Sequence, residues 1–350
     1  MQARFLYQED VRPALSLATD RFFLQRIGQC KVPIVRVYTY PGDVVLLGRY
    51  HAVGTLPEDS SISLTRRLSG GRVVPAGLGF VQFSLMLPHR SFFFADDPYH
   101  LAPFQVLNRY VRGVLNGLKA AGIDVFYPGR DLLTVRQQPI GWVSFTTEED
   151  GALLCEGGLA VSRDCSALPY LLDQADPQGS IPCQFFTAEQ VSSLERITGK
   201  RWTVSQVAAM LKSGFAQQYH LEFVDEGMSP TEQETIAGLA ERLPTEEWLR
   251  SWPLRPDLPL RATTMTQLGR LEIRCALTPE KTLAEVQFSG DLIADPAALT
   301  TLEHGLRGCP LEREALGRVV HRTFLQPQHY LLGIGRLEIV VETLLGSSCQ

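Results

Sequence analysis

The stretch Arg66-Arg67-Leu68-Ser69-Gly70-Gly71-Arg72-Val73-Val74 runs on through Gly77-Leu78-Gly79 to Phe83-Ser84. A hydroxyl residue and two glycines sit between arginines, and apolar strand-like residues resume on the far side. Glycine has no Cβ, so backbone amides here can come close to a ligand, and the guanidinium forks nearby suit a phosphate or carboxylate. That chemistry describes an anion-binding loop. The same residues also describe a β-hairpin turn with a solvated basic rim.

The chain around this loop has 350 residues, enough for two domains, because single cores stop growing at about 250–300 residues. Hydrophobic content of 45% and charged content of 20% are those of an ordinary globular protein. A formal charge of -5 argues against a partner that is nucleic acid or an anionic membrane. The cations are mostly arginine; the lysines are Lys31, Lys119, Lys200, Lys212 and Lys281.

The 7 cysteines (Cys30, Cys155, Cys165, Cys183, Cys275, Cys309, Cys349) form no C-x-x-C pair. Met1-Gln2-Ala3-Arg4 does not open a signal peptide, so they read as reduced thiols of a cytoplasmic protein. No apolar run approaches the ~18–20 residues of a membrane span. The histidines lack metal-ligand spacing, His321 and His329 being the nearest pair, so no metal site is expected.

Upstream of the loop, Leu15, Leu17, Ala18, Phe22, Phe23 and Ile27 predict a helix with Asp20 and Arg21 on its other side. Ile34 to Tyr40 reads as a half-buried strand interrupted by Arg36, and Val44 to Gly48 as a more buried one after the turn Pro41-Gly42-Asp43. Downstream, Val81 to Leu85 alternates as a strand. Phe92-Phe93-Phe94 reads as packing.

Asp97-Pro98 starts the clearest helix, which continues through Leu101, Phe104, Leu107, Val111, Val114 and Leu118 to Gly122 and should back the sheet. Asp131 to Val135 and Ile140 to Phe145 predict strands about a turn at Gln137-Gln138-Pro139. The strand Ala152 to Val161 contains Gly157-Gly158, a sign of a bulge or a close approach.

Helices follow at Thr203 to Tyr219 and Thr231 to Arg242, and then Trp248 and Trp252 should pin a linker. Pro253, Pro256 and Pro259 mark the boundary. Beyond it, Gly269 to Leu277 pairs with Thr282 to Ser289, and helices start at Pro296 and at Gly308-Cys309-Pro310. The expectation is an α+β protein: a mixed, largely antiparallel sheet with packed helices over 1–252, a proline-rich linker over 253–259, and a small α+β accessory module over 260–350.

These pieces together resemble the lipoate–protein ligase and octanoyltransferase family, which shares its fold with the biotin–protein ligases. Arg66-Arg67-x-Ser69-Gly70-Gly71-Arg72-x-Val74 is similar to the family's R-R-x-[ST]-G-G-[GR]-x-V loop, and Pro41 through Gly48-Arg49-Tyr50-His51 to the strand before it. Asp131-Leu132-Leu133 resembles the N-D-[IL]-x-V strand, Gly157 the glycine of H-G-x-[LI]-L, and Val191-Ser192-Ser193-Leu194-Glu195 a V-T-S-L-x-E element. Ser289-Gly290-Asp291-Leu292, Leu302-Glu303 and Leu306-x-Gly308 look like the accessory domain of the ATP-using ligases.

The resemblance implies a protein that binds lipoate or octanoate, with ATP and Mg, as an acyl-adenylate. The acyl group then passes to a lysine of a lipoyl carrier domain or a glycine-cleavage H-like protein. The implied ligand-binding residues are Arg66, Arg67, Ser69, Gly70, Gly71, Arg72, Gly79, Asp131, Gly141 and Gly157, in a monomer, since the loop would supply donors toward developing negative charge.

Several positions depart from the family pattern. Pro139 stands where the G-x-K-[IV]-x-G lysine is expected, leaving Arg136 as the nearest cation. Ala76-Gly77 replaces an H-D pair, Glu156 replaces a histidine, and Val125-Phe126 replaces the C-F of one octanoyltransferase branch. Cys155, Cys165 and Cys183 are alternative thiols. Three readings follow: a ligase-like enzyme, a catalytically inactive acyl- or adenylate-binding partner subunit, and an octanoyl-carrier octanoyltransferase.

Overall fold

The computed structural model describes residues 1–54, 62–94, 102–181, 183–224, 227–242 and 245–346. The first half runs β1 (Gln2–Gln8), α1 (Pro13–Cys30), β2 (Ile34–Tyr38), β3 (Val44–Leu47), β4 (Ser63–Arg66), β5 (Val74–Ala76), β6 (Phe80–Leu87), α2 (Pro103–Tyr110), α3 (Arg112–Ala120), β7 (Leu132–Val135), β8 (Gln138–Thr147) and β9 (Leu153–Ala160). It continues with α4 (Leu168–Ala175), α5 (Leu194–Thr198), α6 (Val204–Tyr219), β10 (Glu222–Val224), α7 (Pro230–Arg242) and α8 (Thr245–Leu249). The last part holds β11 (Leu260–Met265), β12 (Arg270–Leu277), β13 (Leu283–Gly290), β14 (Ile293–Ala294), α9 (Pro296–Leu306), α10 (Arg313–Phe324), β15 (Leu331–Leu332) and α11 (Glu338–Gly346).

The main sheet has the order β10-β1-β2-β6-β9-β8-β7. Its β1 pairs are parallel and the rest antiparallel, so the expected mixed, largely antiparallel sheet is present. One face carries Val35, Val37, Phe83, Leu85, Val143 and Phe145 and packs on α2, α3 and α6. Gly113, Gly117 and Gly214 let α3 and α6 touch backbone to backbone: a Cβ on Gly214 would lie 2.2 Å from the Gly113 carbonyl oxygen.

The other face is covered as well, by α1 and by a small sheet ordered β4-β3-β5. That second cover corrects two sequence expectations. Arg36 is fully buried rather than half-solvated, and Asp20 sits inside rather than on the free side of α1. Arg36 donates to Asp20 at 2.9 Å and to Gln8 at 2.7 Å, because a buried guanidinium needs both a counter-charge and filled donors.

The small sheet also removes the hairpin reading of the glycine loop. β4 and β5 flank the loop but never pair with each other, since β3 lies between them. Nor is the rim solvated: Arg66, Arg67 and Arg72 are all buried.

Two further boundaries differ. The turn between β7 and β8 is Arg136-Gln137, both at positive φ, and Pro139 lies within β8. Proline is tolerated there because β8 pairs with β9 only from Gly141 onward, beside a bulge against β7. Of the helix expected from Asp97, residues 97–101 lie outside the described residues; the rest breaks at Val111 into α2 and α3.

α6 starts as the sequence implies, with Thr203 and Gln206 forming a capping box. The strands β11 to β13 and helices α9 to α11 build their own core around Ile273, Phe288, Leu302 and Leu316. Tyr50, from beside the glycine loop, joins that core and stacks edge-on with Trp252.

Candidate functional site

The floor under the glycine loop is made by two adjacent rows of side chains across the main sheet. One row is Arg36, Ser84, Glu156 and Ser144, cross-strand neighbours on β2, β6, β9 and β8. The next is Tyr38, Gln82, Gly158 and Trp142 on the same strands. Alternation of side chains along each strand places all of them on the face away from α2 and α3.

The loop is fastened to the first row. Glu156 accepts from the Ser69 backbone N–H at 2.9 Å, and Ser144 Oγ donates to the Gly70 carbonyl at 2.9 Å. Burial raises the Glu156 carboxyl above its ordinary value, and the charge of Arg67 works in the opposite direction.

The two leading arginines have different duties. Arg66 donates to the carbonyls of Gly48 (3.1 Å), Arg49 (2.7 Å), His51 (2.8 Å) and Leu249 (2.7 Å). It clasps four backbone acceptors at once, and burial, helped by the charge of Arg49, lowers its guanidinium to about 9. Trp248 donates to the Arg66 carbonyl at 2.9 Å, anchoring the same strand from α8.

Arg67 turns inward, donating to the Gly70 carbonyl at 2.6 Å and lying with its Cζ 4.4 Å from the Trp142 ring centre. Burial pulls it down to about 10, against Glu156, Asp131 and Asp291, which hold it charged. Arg72 pairs with Asp131 at 2.5 Å and donates to Gln184 at 3.0 Å. Burial raises the Asp131 carboxyl, Arg72 opposes that, and Asp131 Oδ1 has no hydrogen-bond partner among the described residues.

The glycines of the loop approach another part of the chain. The Gly71 N–H donates to the Leu292 carbonyl at 2.6 Å, and a Cβ on Gly70 would lie 1.8 Å from that same oxygen. The strap carrying Leu292 is held beside the loop. Gly290 N–H donates to the Tyr50 carbonyl at 3.0 Å, Tyr50 Oη donates to Ala294 at 2.8 Å, and His51 Nε2 is 3.2 Å from the buried Asp291 carboxylate.

The remaining residues expected at the site divide by position. Asp131 and Arg72 lie with the loop. Gly79 forms the turn before β6 at φ 81°, packed on Ser162 and Arg163. Gly141 and Gly157 turn to the helix-packed face, where a Cβ on Gly157 would be 2.4 Å from the Phe83 ring. Arg136 lines a surface pocket of about 540 Å³ with Lys200 and Trp202, which shares no residue with the loop.

Pro139 accepts from the Ser192 N–H at 3.0 Å. Cys155 is buried, with its thiol pushed well up by desolvation, and burial takes Cys165 and Cys183 up to about 12. Among the described residues no cluster of His, Cys, Asp and Glu could hold a metal ion, and no helix is long and apolar enough to cross a membrane.

Sequence reasoning did not pick out Gln82, Ser144 or Trp142. For Gln82 the signal was present as strict alternation in Val81-Gln82-Phe83-Ser84-Leu85, which defines a polar-bearing face but not what covers it, whereas Ser144 is a single polar residue in the apolar run Trp142-Val143-Ser144-Phe145.

Residues 12–216 match the family model for the lipoyl protein ligase A/B catalytic domain. Octanoyltransferase LipM of Clostridioides difficile (strain 630) is 23% identical over 279 residues, 71% of this chain and 98% of that protein. Plasmodium falciparum LipL1, solved in complex with lipoate, has the same fold at a TM-score of 0.68 and 14% identity, over 98% of this chain and 99% of that one. Lipoate-protein ligase A bound with ATP follows at a TM-score of 0.56 and 20% identity, over 72% of this chain and 100% of its own. With more than half its length matched to that model, the chain belongs to the lipoyl protein ligase A/B catalytic-domain family.

Proposed function

We propose that this chain is a lipoate–protein ligase-like protein that binds lipoate or octanoate as its adenylate beneath the glycine loop and presents the acyl group to a lysine of a lipoyl carrier domain. The observation that carries this reading is the loop itself. Ser69 and Gly70 are held on Glu156 and Ser144 with the Arg67 guanidinium fixed over Trp142. A backbone donor and a fixed cation at one place are what a carboxylate becoming a mixed anhydride requires.

In the activating step the acyl carboxylate would displace pyrophosphate from ATP. The carrier lysine would then attack the acyl carbonyl and release AMP. Arg67 takes the place of the missing lysine as the cation at the reacting centre, because Arg136 lies at the β7–β8 turn in a separate pocket. The Gly71 N–H is engaged by Leu292, so a phosphate reaches it only when the accessory module lets go.

A second reading rests on Pro139 and Glu156: with neither lysine nor histidine at those places, the chain would bind the acyl group for a partner subunit without performing the transfer. The transferase reading draws on the relative LipM, but the place of the cysteine that one octanoyltransferase branch carries is held by the buried Val125. Intact-mass spectrometry of an apo lipoyl domain tests all three. A mass gain with ATP and lipoate supports the ligase, a gain with octanoyl-carrier thioester supports the transferase, and no gain in either tube beside an active control ligase supports the binding subunit.

A further inference from the structure

The sheet ordered β11-β12-β13 turns Leu271, Ile273, Cys275, Val286 and Phe288 toward its own core. Alternation puts Arg261, Thr263 and Met265 of β11 on the opposite face, with Arg270, Glu272 and Arg274 of β12 beside them. Glu272 is buried there and accepts from all three guanidiniums: Arg261 at 2.7 Å, Arg270 at 3.0 Å and Arg274 at 2.8 Å. One guanidinium balances one buried carboxylate, so the other two remain as excess positive charge.

This arrangement opposes stability. Arg261 and Arg274 stand directly opposite each other in the ladder, where like charges repel. Each places one nitrogen on Glu272 and has no other hydrogen-bond partner among the described residues. The face is also open: Arg261 and Thr263 are exposed, and Met265, opposite Arg270, is 60% exposed. Arginine forks around an exposed methionine are the composition of a protein interface, and those forks match carboxylates.

The face ends at the glycine loop. The Arg270 N–H donates to the Asp291 carboxylate at 2.7 Å, and the next residue, Leu292, carries the carbonyl that Gly71 holds. The charge of Arg270 also reaches Cys183, whose neighbour Gln184 accepts from Arg72 of the loop. A partner seated on these arginines therefore lies beside the loop.

We propose that this arginine face is the docking surface for an acidic carrier domain, whose Asp and Glu side chains pair with Arg261, Arg270 and Arg274. This rests on the acyl-transfer reading above and names where its protein partner binds. The formal charge of -5 on the whole chain repels an extended polyanion, whereas a folded acidic domain needs only a matching patch.

The test is an NMR titration of an isotope-labelled apo lipoyl domain of net negative charge with the full-length chain, with Arg261→Glu and with Thr263→Glu. The first variant reverses a charge, and the second adds a carboxylate to the exposed face while keeping every arginine. Both should weaken carrier binding at least ~10-fold, and the shifts seen with the natural chain should fall on the Asp and Glu residues of the lipoyl domain. Added salt should weaken the natural chain more than either variant. Lipoate affinity, read in parallel, should stay the same because the loop is untouched. Equal carrier binding by all three chains, or none by the natural chain, overturns the docking face, and lipoate affinity then judges the acyl-binding reading separately. A single-stranded oligonucleotide that binds more tightly than the lipoyl domain and is lost in both variants assigns the face to nucleic acid and overturns it as well.

Discussion

The backbone N–H of Gly71 donates to the carbonyl of Leu292 at 2.6 Å, a main-chain bond that joins the glycine loop to the segment between β13 and β14. Side-chain substitution of Leu292 leaves that bond available, whereas a Cβ on Gly70 strikes the same oxygen at 1.8 Å. Gly70→Ala should therefore loosen this contact, costing about 1–3 kcal/mol in urea unfolding. Proteolysis within residues 253–259 should speed up alongside it; unchanged rates and stability would mean that the contact is dispensable.

Arg66 is expected to be irreplaceable by lysine. Its planar fork reaches four carbonyls from two segments, and an ammonium reaches fewer of them in the same geometry. Arg66→Lys should cost about 2–4 kcal/mol by chemical denaturation, since buried carbonyls lose their donors.

The Asp20–Arg36 pair should behave as a buried ion pair. Asp20→Ala leaves a fully buried guanidinium without its counter-charge and should cost about 3–5 kcal/mol. Replacing both residues together, Asp20→Leu with Arg36→Met, should recover most of that loss. A double replacement as unstable as the single one would argue against the electrostatic explanation.

Glu303 supplies a pH dependence. Burial raises its carboxyl to about 7, although it accepts the Phe288 N–H at 2.9 Å. Its folded value lies above the unfolded value of about 4.3, so the folded state favours the protonated form. Stability from this group is full below about pH 4.3 and is lost as pH rises toward 7. Glu303→Gln keeps an acceptor for Phe288 and should be more stable than the natural chain by about 1–2 kcal/mol above pH 7. The difference should vanish in acid, as melting curves across that window would record.

The elements of the fold were largely legible. The face Leu17, Phe22, Phe23 and Ile27 announced α1, Thr203 marked the start of α6, and the strands on either side of Pro279 paired as their pattern implied. The ordered motifs from Arg66-Arg67 to Ser289-Gly290-Asp291 pointed to the family that the chain belongs to. Local periodicity is a property of a few neighbouring residues, and it survives without knowledge of the rest of the chain.

What periodicity could not supply was the cover on the second face of the sheet. Arg36, Gln82, Ser84 and Glu156 occupy alternate positions that meet water in a one-sided sheet. Here α1 and the small sheet cover them, turning polar letters into a buried network.

By itself, then, the sequence determined the strands and helices, the family and a glycine loop requiring a close approach, because these depend on short-range pattern and on the absence of a Cβ. Only the tertiary structure decided that the approach is to Leu292, that Arg66 clasps backbone while Arg67 faces Trp142, and that the Gln82 amide is buried with no partner among the described residues. Each of those depends on segments distant in the chain packing together, and side-chain pattern along one strand does not encode which segment will arrive.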